Sequence, residues 1–321
     1  MINEYVLGTQ KDYELKDAGD GMKLERFGDY TLARPDPEAV FPKTLSEKEW
    51  AKADARFLRK GTHTEWIVSK KMPASWNVEI GTLRMQVKPT SFKHVGLFPE
   101  QASNWEWLAS TIKKHNNLTL STVQAGPTHT SAGEGEKPKN SKNKNLESRN
   151  VKVLNLFGYT GGATLACAQA GAEVTHIDGS KSTYTWAKKN QELSLLSEVK
   201  IKWLIDDSIS FLKRELKRGN VYDGIIMDPP SFGHGPNGEL WKIEEQLTEL
   251  FTLAFKVLSL EPLFFLVNGY SSGYSVTTYK NNLLPLVKRY GGTIETGELL
   301  IPCTSNPEKK LPAGIVARWR E

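Results

Sequence analysis

The run VLNLFGYTGGATLACAQAGAEVTHIDGSK, residues 153–181, sets an apolar strand-like stretch before a glycine cluster, a helix-like segment, a second apolar stretch and an aspartate. A glycine loop between a strand and a helix presents backbone N–H groups and a positive helix end, so a phosphate, a dinucleotide or a carboxylate each suits it. The spacing narrows the choice. A dinucleotide fingerprint needs G-x-G-x-x-G after the strand, whereas Gly158, Gly161 and Gly162 read G-x-x-G-G and Thr160 stands in the place of the second glycine. The strand–helix–strand layout persists, and Asp178 ends the second strand, where a carboxylate accepts ribose hydroxyls. This pattern suits a nucleoside cofactor without a pyrophosphate. A tight turn in an α/β domain with no ligand at all is the structural alternative.

Outward from this run the alternation continues. VKVLNLF, a helix at 162–171, AEVTHID, a helix at 181–196, KIKWLID, a helix at 207–217 and YDGIIMD follow one another. After them come a helix at 240–258, PLFFLVN, a helix at 277–290, TIETGELLIP and AGIVARW. Strands that alternate with helices of about ten residues or more imply parallel pairing and right-handed crossovers, a doubly wound α/β sheet. The last two strands have no helix between them and predict an antiparallel hairpin at or near one edge. Upstream, residues 12–89 mix short β-branched and aromatic runs with Gly and Pro breaks, the pattern of a small β-rich domain. Within it SEKEWAKADARFLRK, 46–60, reads as one helix with Ser46 as N-cap and Glu49 completing a capping box. The expected division is 1–91 and 92–321. A helix should follow FKHVGLFPEQASNW to about His115, and 126–150, almost free of large apolar residues, reads as a flexible insertion.

At 39 % hydrophobic and 25 % charged residues, the 321-residue chain has the composition of a folded globular protein. Its start shows no basic stretch followed by an apolar one, and no run approaches the roughly 20 apolar residues of a membrane helix, so a cytoplasmic protein is expected. Cys167 and Cys303 are too few for a disulfide framework or a cysteine-rich zinc site. His94 and His234 lie in suggestive segments without ligand spacing, and no metal is expected; His234 reads either as a general base in a lid or as an exposed loop residue. The net charge of +5 leaves room for a polyanionic partner without requiring one. Arg56, Arg59, Lys60, Lys70 and Lys71 are either phosphate contacts or dispersed solvated charges.

YDGIIMDPPSFGHG, residues 222–235, places Asp228, Pro229 and Pro230 directly after a buried strand. Proline holds its own φ and forces the preceding residue extended, so this turn projects acceptors from the C-terminal edge of the sheet, the ligand side of open α/β folds. Such acceptors suit the amino group of a base or of a cofactor, and Phe232 suits stacking on a base. Trp241, just beyond, reads as a packing residue of the next helix. S-adenosylmethionine fits both motifs: its ribose suits Asp178, and its carboxylate suits the N–H groups around Tyr159 to Gly162.

The order NLFGYTGG, HIDGSK, IDDSISFL and YDGIIMDPPSF, with WAKKNQELSLL after the second strand, resembles the class I S-adenosylmethionine-dependent methyltransferases. Among these it is most similar to the large-subunit ribosomal RNA methyltransferases that form 5-methylcytosine or N7-methylguanosine. The resemblance runs from about Phe92 to the C-terminus apart from the insertion. It implies that Asn155, Phe157, Gly158, Tyr159, Thr160, Gly161 and Gly162 serve the methionine end of the cofactor. By the same resemblance Asp178 and Ser180 serve the ribose side, and Asp207 rather than Asp206 serves the adenine. Phe98 and Gln101 would close over the cofactor, with Asp228, Pro229, Phe232 and Asn268 at the reacting centre.

One departure bears on chemistry. Methylation at carbon 5 of cytosine needs a thiolate that adds to carbon 6, and the relatives that do this carry a cysteine after the fifth strand. Here that place reads LVNGYSSG, 266–273. Cys167 lies in the helix after the glycine loop and Cys303 in another element. The expected reaction is therefore non-covalent methyl transfer to a base nitrogen, with RNA, ribosomal by resemblance, as partner. Asn268 either orients the acceptor or satisfies nearby loop backbone. A protein or small-molecule acceptor, or an RNA-binding module without turnover, are the competing readings.

Overall fold

The computed structural model describes residues 2–61, 63–69, 71–124, 150–270 and 273–321; the expected insertion at 126–150 lies outside them except for Asn150. The N-terminal part comprises β1 (Asn3–Val6), β2 (Tyr13–Gly19), β3 (Met22–Phe27), β4 (Tyr30–Pro35), α1 (Glu47–Trp50), β5 (Ala55–Lys60), β6 (His63–Val68), β7 (Trp76–Ile80) and β8 (Leu83–Val87). Strands β2, β3 and β4 form an antiparallel meander, β5 joins β4 in parallel, and β7 and β8 form a hairpin of their own.

The single helix expected over 46–60 is instead one turn followed by a strand. Ser46 does cap it, accepting the Glu49 N–H at 3.4 Å. The turn stops where Trp50 is buried with its indole N–H on Asp17 Oδ2 at 3.0 Å. Beyond it Ala55 and Phe57 are buried at every second position, the period of a strand, and they pair with β6.

A 3-10 turn at Pro99–Gln101 opens α2 (Ala102–Gln124), longer than expected from sequence. Then strand and helix alternate: β9 (Lys152–Leu156), α3 (Gly162–Gln169), β10 (Glu173–Asp178), α4 (Lys181–Leu193), β11 (Ile201–Ile205), α5 (Ser208–Arg218) and β12 (Gly224–Met227). A small hairpin, β13 (Phe232–His234) with β14 (Leu240–Lys242), occupies the first residues of the helix expected from 240, and α6 (Ile243–Lys256) follows it. β15 (Phe264–Gly269), α7 (Val276–Tyr290), β16 (Thr293–Cys303) and β17 (Asn306–Arg320) complete the chain.

The sheet runs β11-β10-β9-β12-β15-β17-β16 and continues through β2 to β6. Its first five strands are parallel, and β17 inserts antiparallel between β15 and β16. The terminal hairpin is thus not an outer edge, because β16 pairs with β2 at Cys303 and Leu15 and with β1 along its length. Apolar residues of β9, β12 and β15 alternate between the two faces: Leu154, Leu156, Met227 and Val267 pack with α5 to α7, and Val153, Ile226 and Leu266 pack beneath α2 and α3. A further core joins Leu15, Phe27 and Ile80 of the N-terminal strands to Leu165 and Leu196. The chain order reverses between β9 and β12, so the loops after these strands diverge and leave a crevice at their C-terminal ends, where open α/β sheets take ligands.

Candidate active site

The loop after β9 is held in sparsely populated backbone conformations: Phe157, Tyr159 and Gly161 have φ of 57°, 50° and 90°. Such geometry persists only where neighbours fix it. The Gly158 N–H donates to Ile177 O at 2.9 Å, Gly161 N–H to Gly158 O at 3.0 Å, and Tyr159 N–H to Asp178 Oδ2 at 2.8 Å. The glycines answer to close packing. A Cβ on Gly158 would lie 2.3 Å from the His176 ring, and one on Gly162 would lie 2.2 Å from the Trp105 ring.

These contacts alter what the loop offers. Phe157 and Tyr159 line a cavity of about 810 Å³, but Asn155, Gly158, Thr160, Gly161 and Gly162 are not among its lining residues. Asn155 donates to Thr164 Oγ1 at 2.8 Å beneath α3, and Thr160 Oγ1 donates to Gly96 O at 2.7 Å. Two N–H groups of the expected carboxylate cradle, those of Tyr159 and Gly161, and that of Gly158 before it are engaged within the fold, because the tight turn needs them.

Asp178, Ser180 and Asp207 line the cavity beside Phe98. Asp178 Oδ1 accepts the Ser180 N–H at 2.9 Å and the Thr183 hydroxyl at 2.6 Å, which with Tyr159 fills three of its roughly four acceptor positions. About one remains for a ribose hydroxyl. Asp207 caps α5 through the Ser210 N–H at 2.7 Å, while Asp206 pairs with Arg214.

Across the crevice, Asp228, Pro229 and Pro230 follow β12 and line the same cavity. Burial, and then the Glu100 carboxylate, push the Asp228 carboxyl up to about 7; burial likewise raises buried Glu100 to about 7. Sequence reasoning passed over Glu100 although it adjoins Gln101, since a glutamate opening a helix is ordinarily solvated; only the 3-10 turn after Phe98 aims it inward. Trp241 does more than pack on the next helix: it lines the cavity, its indole N–H reaches Pro230 O at 2.5 Å, and its ring lies 5.1 Å from that of Phe157.

Two further expected site residues lie outside the lining. Gln101 and Asn268 are buried and absent from the lining. Asn104 Nδ2 donates to Gln101 Oε1 and to Asn268 Oδ1, both at 2.8 Å, and Asn268 Nδ2 reaches Gln101 Oε1 at 3.3 Å. Arg318 Nε donates to Asn104 Oδ1 at 3.0 Å, and Gln101 donates to the Tyr270 hydroxyl. The network ties the first turn of α2 to β15 and β17, leaving no amide of Asn268 turned toward an acceptor. Phe232 is 57 % exposed outside the cavity, edge-on to His234 on its rim at 5.2 Å between centroids.

Cys167 and Cys303 are buried free thiols away from the cavity. Burial raises the Cys167 thiol far above its ordinary value, and burial followed by Asp17 pushes Cys303 up to about 11. Arg56 and Arg59 donate to the Trp50 and Gly61 carbonyls, and neither they nor Lys71 reach the cavity; Lys70 and the Lys60 side chain lie outside the described residues. The cavity's lysine and arginine side chains are Lys23, Arg34 and Lys93, against eight carboxylates that include Glu100, Asp178, Asp207 and Asp228. Among the described residues no cluster of His, Cys, Asp and Glu has the geometry of a metal site, and no helix is long and apolar enough to cross a membrane.

A solved structure described as the S-adenosylmethionine-dependent methyltransferase from Agrobacterium tumefaciens is 32 % identical, with a TM-score of 0.83 over 99 % of this chain and 93 % of that one. The chain belongs to the S-adenosylmethionine-dependent methyltransferases. No protein-family model matches the methyltransferase. Ribosomal RNA large subunit methyltransferase I of Salmonella arizonae is 38 % identical to it over 84 residues, 26 % of this chain and 21 % of that protein. Ribosomal RNA large subunit methyltransferase K of Neisseria meningitidis serogroup B is 31 % identical over 123 residues, 38 % of this chain and 35 % of that protein. The methyltransferase thus spans about a fifth to a third of the length of these curated relatives.

The donor set fits the family's cofactor. S-adenosylmethionine carries a sulfonium and an ammonium against one carboxylate, and an acid-rich cavity favours that net positive ligand over a pyrophosphate. Asp178 would take the ribose, Asp207 the adenine edge, and Phe157, Tyr159 and Phe98 the apolar flank.

Proposed function

We propose that this methyltransferase transfers the methyl group of S-adenosylmethionine to a base nitrogen of ribosomal RNA without a covalent enzyme–base adduct. The observation that carries the reading is the Asp228-Pro229-Pro230 turn opposite the Asp178 loop, in a cavity that no thiol lines. The bound cofactor supplies an already activated electrophilic methyl group. The chain's own contribution is alignment and exclusion of water, and near-attack positioning contributes up to roughly 7–11 kcal/mol. Asp228, held by two prolines at the end of a buried strand, accepts the N–H of the acceptor base. With its carboxyl near 7 and Glu100 behind it, it is poised to take the proton that the methylated nitrogen sheds. Phe232, exposed beside His234, offers a ring on which a base entering the crevice stacks. Support for ribosomal RNA comes from the named activities of the Salmonella and Neisseria relatives over the aligned segments. Incubation with labelled S-adenosylmethionine and ribosomal RNA lacking the modification, followed by nucleoside mass analysis, tests it. Label in an N-methylated base is expected; label in 5-methylcytosine, or in protein alone, overturns it.

A further inference from the structure

Lys23, Arg34 and Lys93 all precede α2, so the cationic wall of the cavity belongs to the N-terminal part of the chain. Arg34 is 3 % exposed and donates Nε and Nη2 to Glu25 at 2.6 and 3.1 Å and Nη1 to Lys93 O at 3.2 Å. Lys23 reaches Asp36 at 3.0 Å and Glu25 at 3.6 Å. Half-buried Lys93 has no ion pair among the described residues. The direct ion pairs to Glu25 and Asp36 thus serve Lys23 and Arg34, and Glu100 lies within electrostatic reach of the same two cations. One positive charge is left partly out of water, a state that an anion would relieve. Consistently, burial foremost, opposed by Asp36 and Glu25 and aided by Lys23 and Arg34, draws the Lys93 ammonium below its ordinary value.

The segment that carries Lys93 is fastened to the loop after β9. Thr160 donates to Gly96 O at 2.7 Å, and the rings of His94, Phe98 and Tyr159 follow one another at 5.5 and 5.6 Å. At this loop the N–H groups of Gly158, Tyr159 and Gly161 already have partners inside the fold. An anion arriving beside Tyr159 thus meets the charge of Arg34 on the wall that also carries Lys93, rather than a full backbone cradle.

We propose that Lys93, backed by Arg34, holds the carboxylate at the methionine end of the cofactor, so that the N-terminal strands complete the cofactor site. This rests on the S-adenosylmethionine reading above, whose ligand has that carboxylate as its single anionic group. Calorimetric titration of the full chain, Lys93→Ala and Lys93→Arg with S-adenosylhomocysteine and with 5′-methylthioadenosine tests it. The second ligand keeps the adenosine and lacks the amino-acid end. Lys93→Ala should weaken S-adenosylhomocysteine binding at least about tenfold and leave 5′-methylthioadenosine within about twofold, and Lys93→Arg should recover most of the loss. Equal loss for both ligands, or for neither, overturns the assignment. So does weakened binding of a short RNA with unchanged S-adenosylhomocysteine affinity, which places an acceptor phosphate at Lys93 instead. A wild-type chain that binds neither small ligand overturns the cofactor reading itself, and this inference with it.

Discussion

The carboxylate of Asp178, at the tip of β10, accepts the backbone N–H of Tyr159 in the loop after β9 at 2.8 Å. One side chain therefore shapes the loop and faces the cavity, and its removal should have two effects. Asp178→Ala is expected to weaken S-adenosylhomocysteine at least about tenfold, since hydrogen bonds to a charged group are worth roughly 1.5–3 kcal/mol. It should also lower the melting temperature by a few degrees as Tyr159, Ser180 and Thr183 lose their acceptor. Unchanged calorimetric affinity in a folded variant would remove Asp178 from the site.

The glycines of the loop answer to packing, and Gly158 is the clearest test. Its added Cβ would meet the ring of His176, which is buried and bonded to Thr164 at 2.9 Å and so cannot swing away. Overpacking of this kind destabilises by about 1–3 kcal/mol. Gly158→Ala should shift the urea midpoint downward by that equivalent while the folded fraction still binds S-adenosylhomocysteine. A fully stable variant that had lost the cofactor would mean the glycine serves ligand approach instead.

What was legible in the sequence follows from this division. Strand and helix periodicity after residue 151, the Asp178 carboxylate and the Asp228-Pro229-Pro230 turn are local patterns whose geometry is set by a few neighbours, and they place the crevice. The single helix at 46–60 failed because Trp50 and Asp17, 33 residues apart, end it through a tertiary hydrogen bond. Glu100, Lys93 and Arg34 gave no local signal, as their meaning comes from a wall built by residues far apart in the chain. Gln101 and Asn268 carried a misleading one: an amide at a helix start or a strand end looks available until Asn104, itself held by Arg318, is seen to engage it.

That network gives the third prediction. Asn268→Ala removes partners of Asn104 and Gln101 in a buried setting, and each unsatisfied polar group costs about 1–3 kcal/mol. Thermal stability should fall accordingly, while turnover of the folded fraction at saturating cofactor stays within several-fold. A hundredfold loss of kcat at unchanged melting temperature would put Asn268 back at the acceptor.

Asp228 and Glu100 make the stability of the free protein depend on pH in the direction opposite to a salt-bridged carboxylate. Both are raised to about 7 from ordinary values of 3.8 and 4.5, so between those limits the folded state binds more protons than the unfolded chain. Unfolding free energy from this pair is then full below about pH 4 and declines as pH rises toward 7. Asp228→Asn should therefore melt higher than wild type at pH 8, with the difference closing toward pH 5. A difference that persisted unchanged at pH 5 would show that ionisation of Asp228 is not its source.

The thiols test the mechanism. Covalent activation of a cytosine requires a thiolate in contact with the base, yet Cys303 sits at the far end of β16, buried and raised to about 11, and Cys167 is sealed on the buried face of α3. At neutral pH so little Cys303 thiolate exists that nucleophilic attack would be slow even if a base could reach it. Cys303→Ala should accordingly retain methyl transfer within a few-fold, with any loss following stability. Asp228→Ala, by contrast, should depress kcat while sparing most of the S-adenosylhomocysteine affinity, the signature of an interaction made chiefly in the transition state. Loss of all activity in a folded, cofactor-binding Cys303→Ala variant, together with a denaturation-resistant adduct on RNA containing 5-fluorocytosine, would replace the non-covalent route with a covalent one.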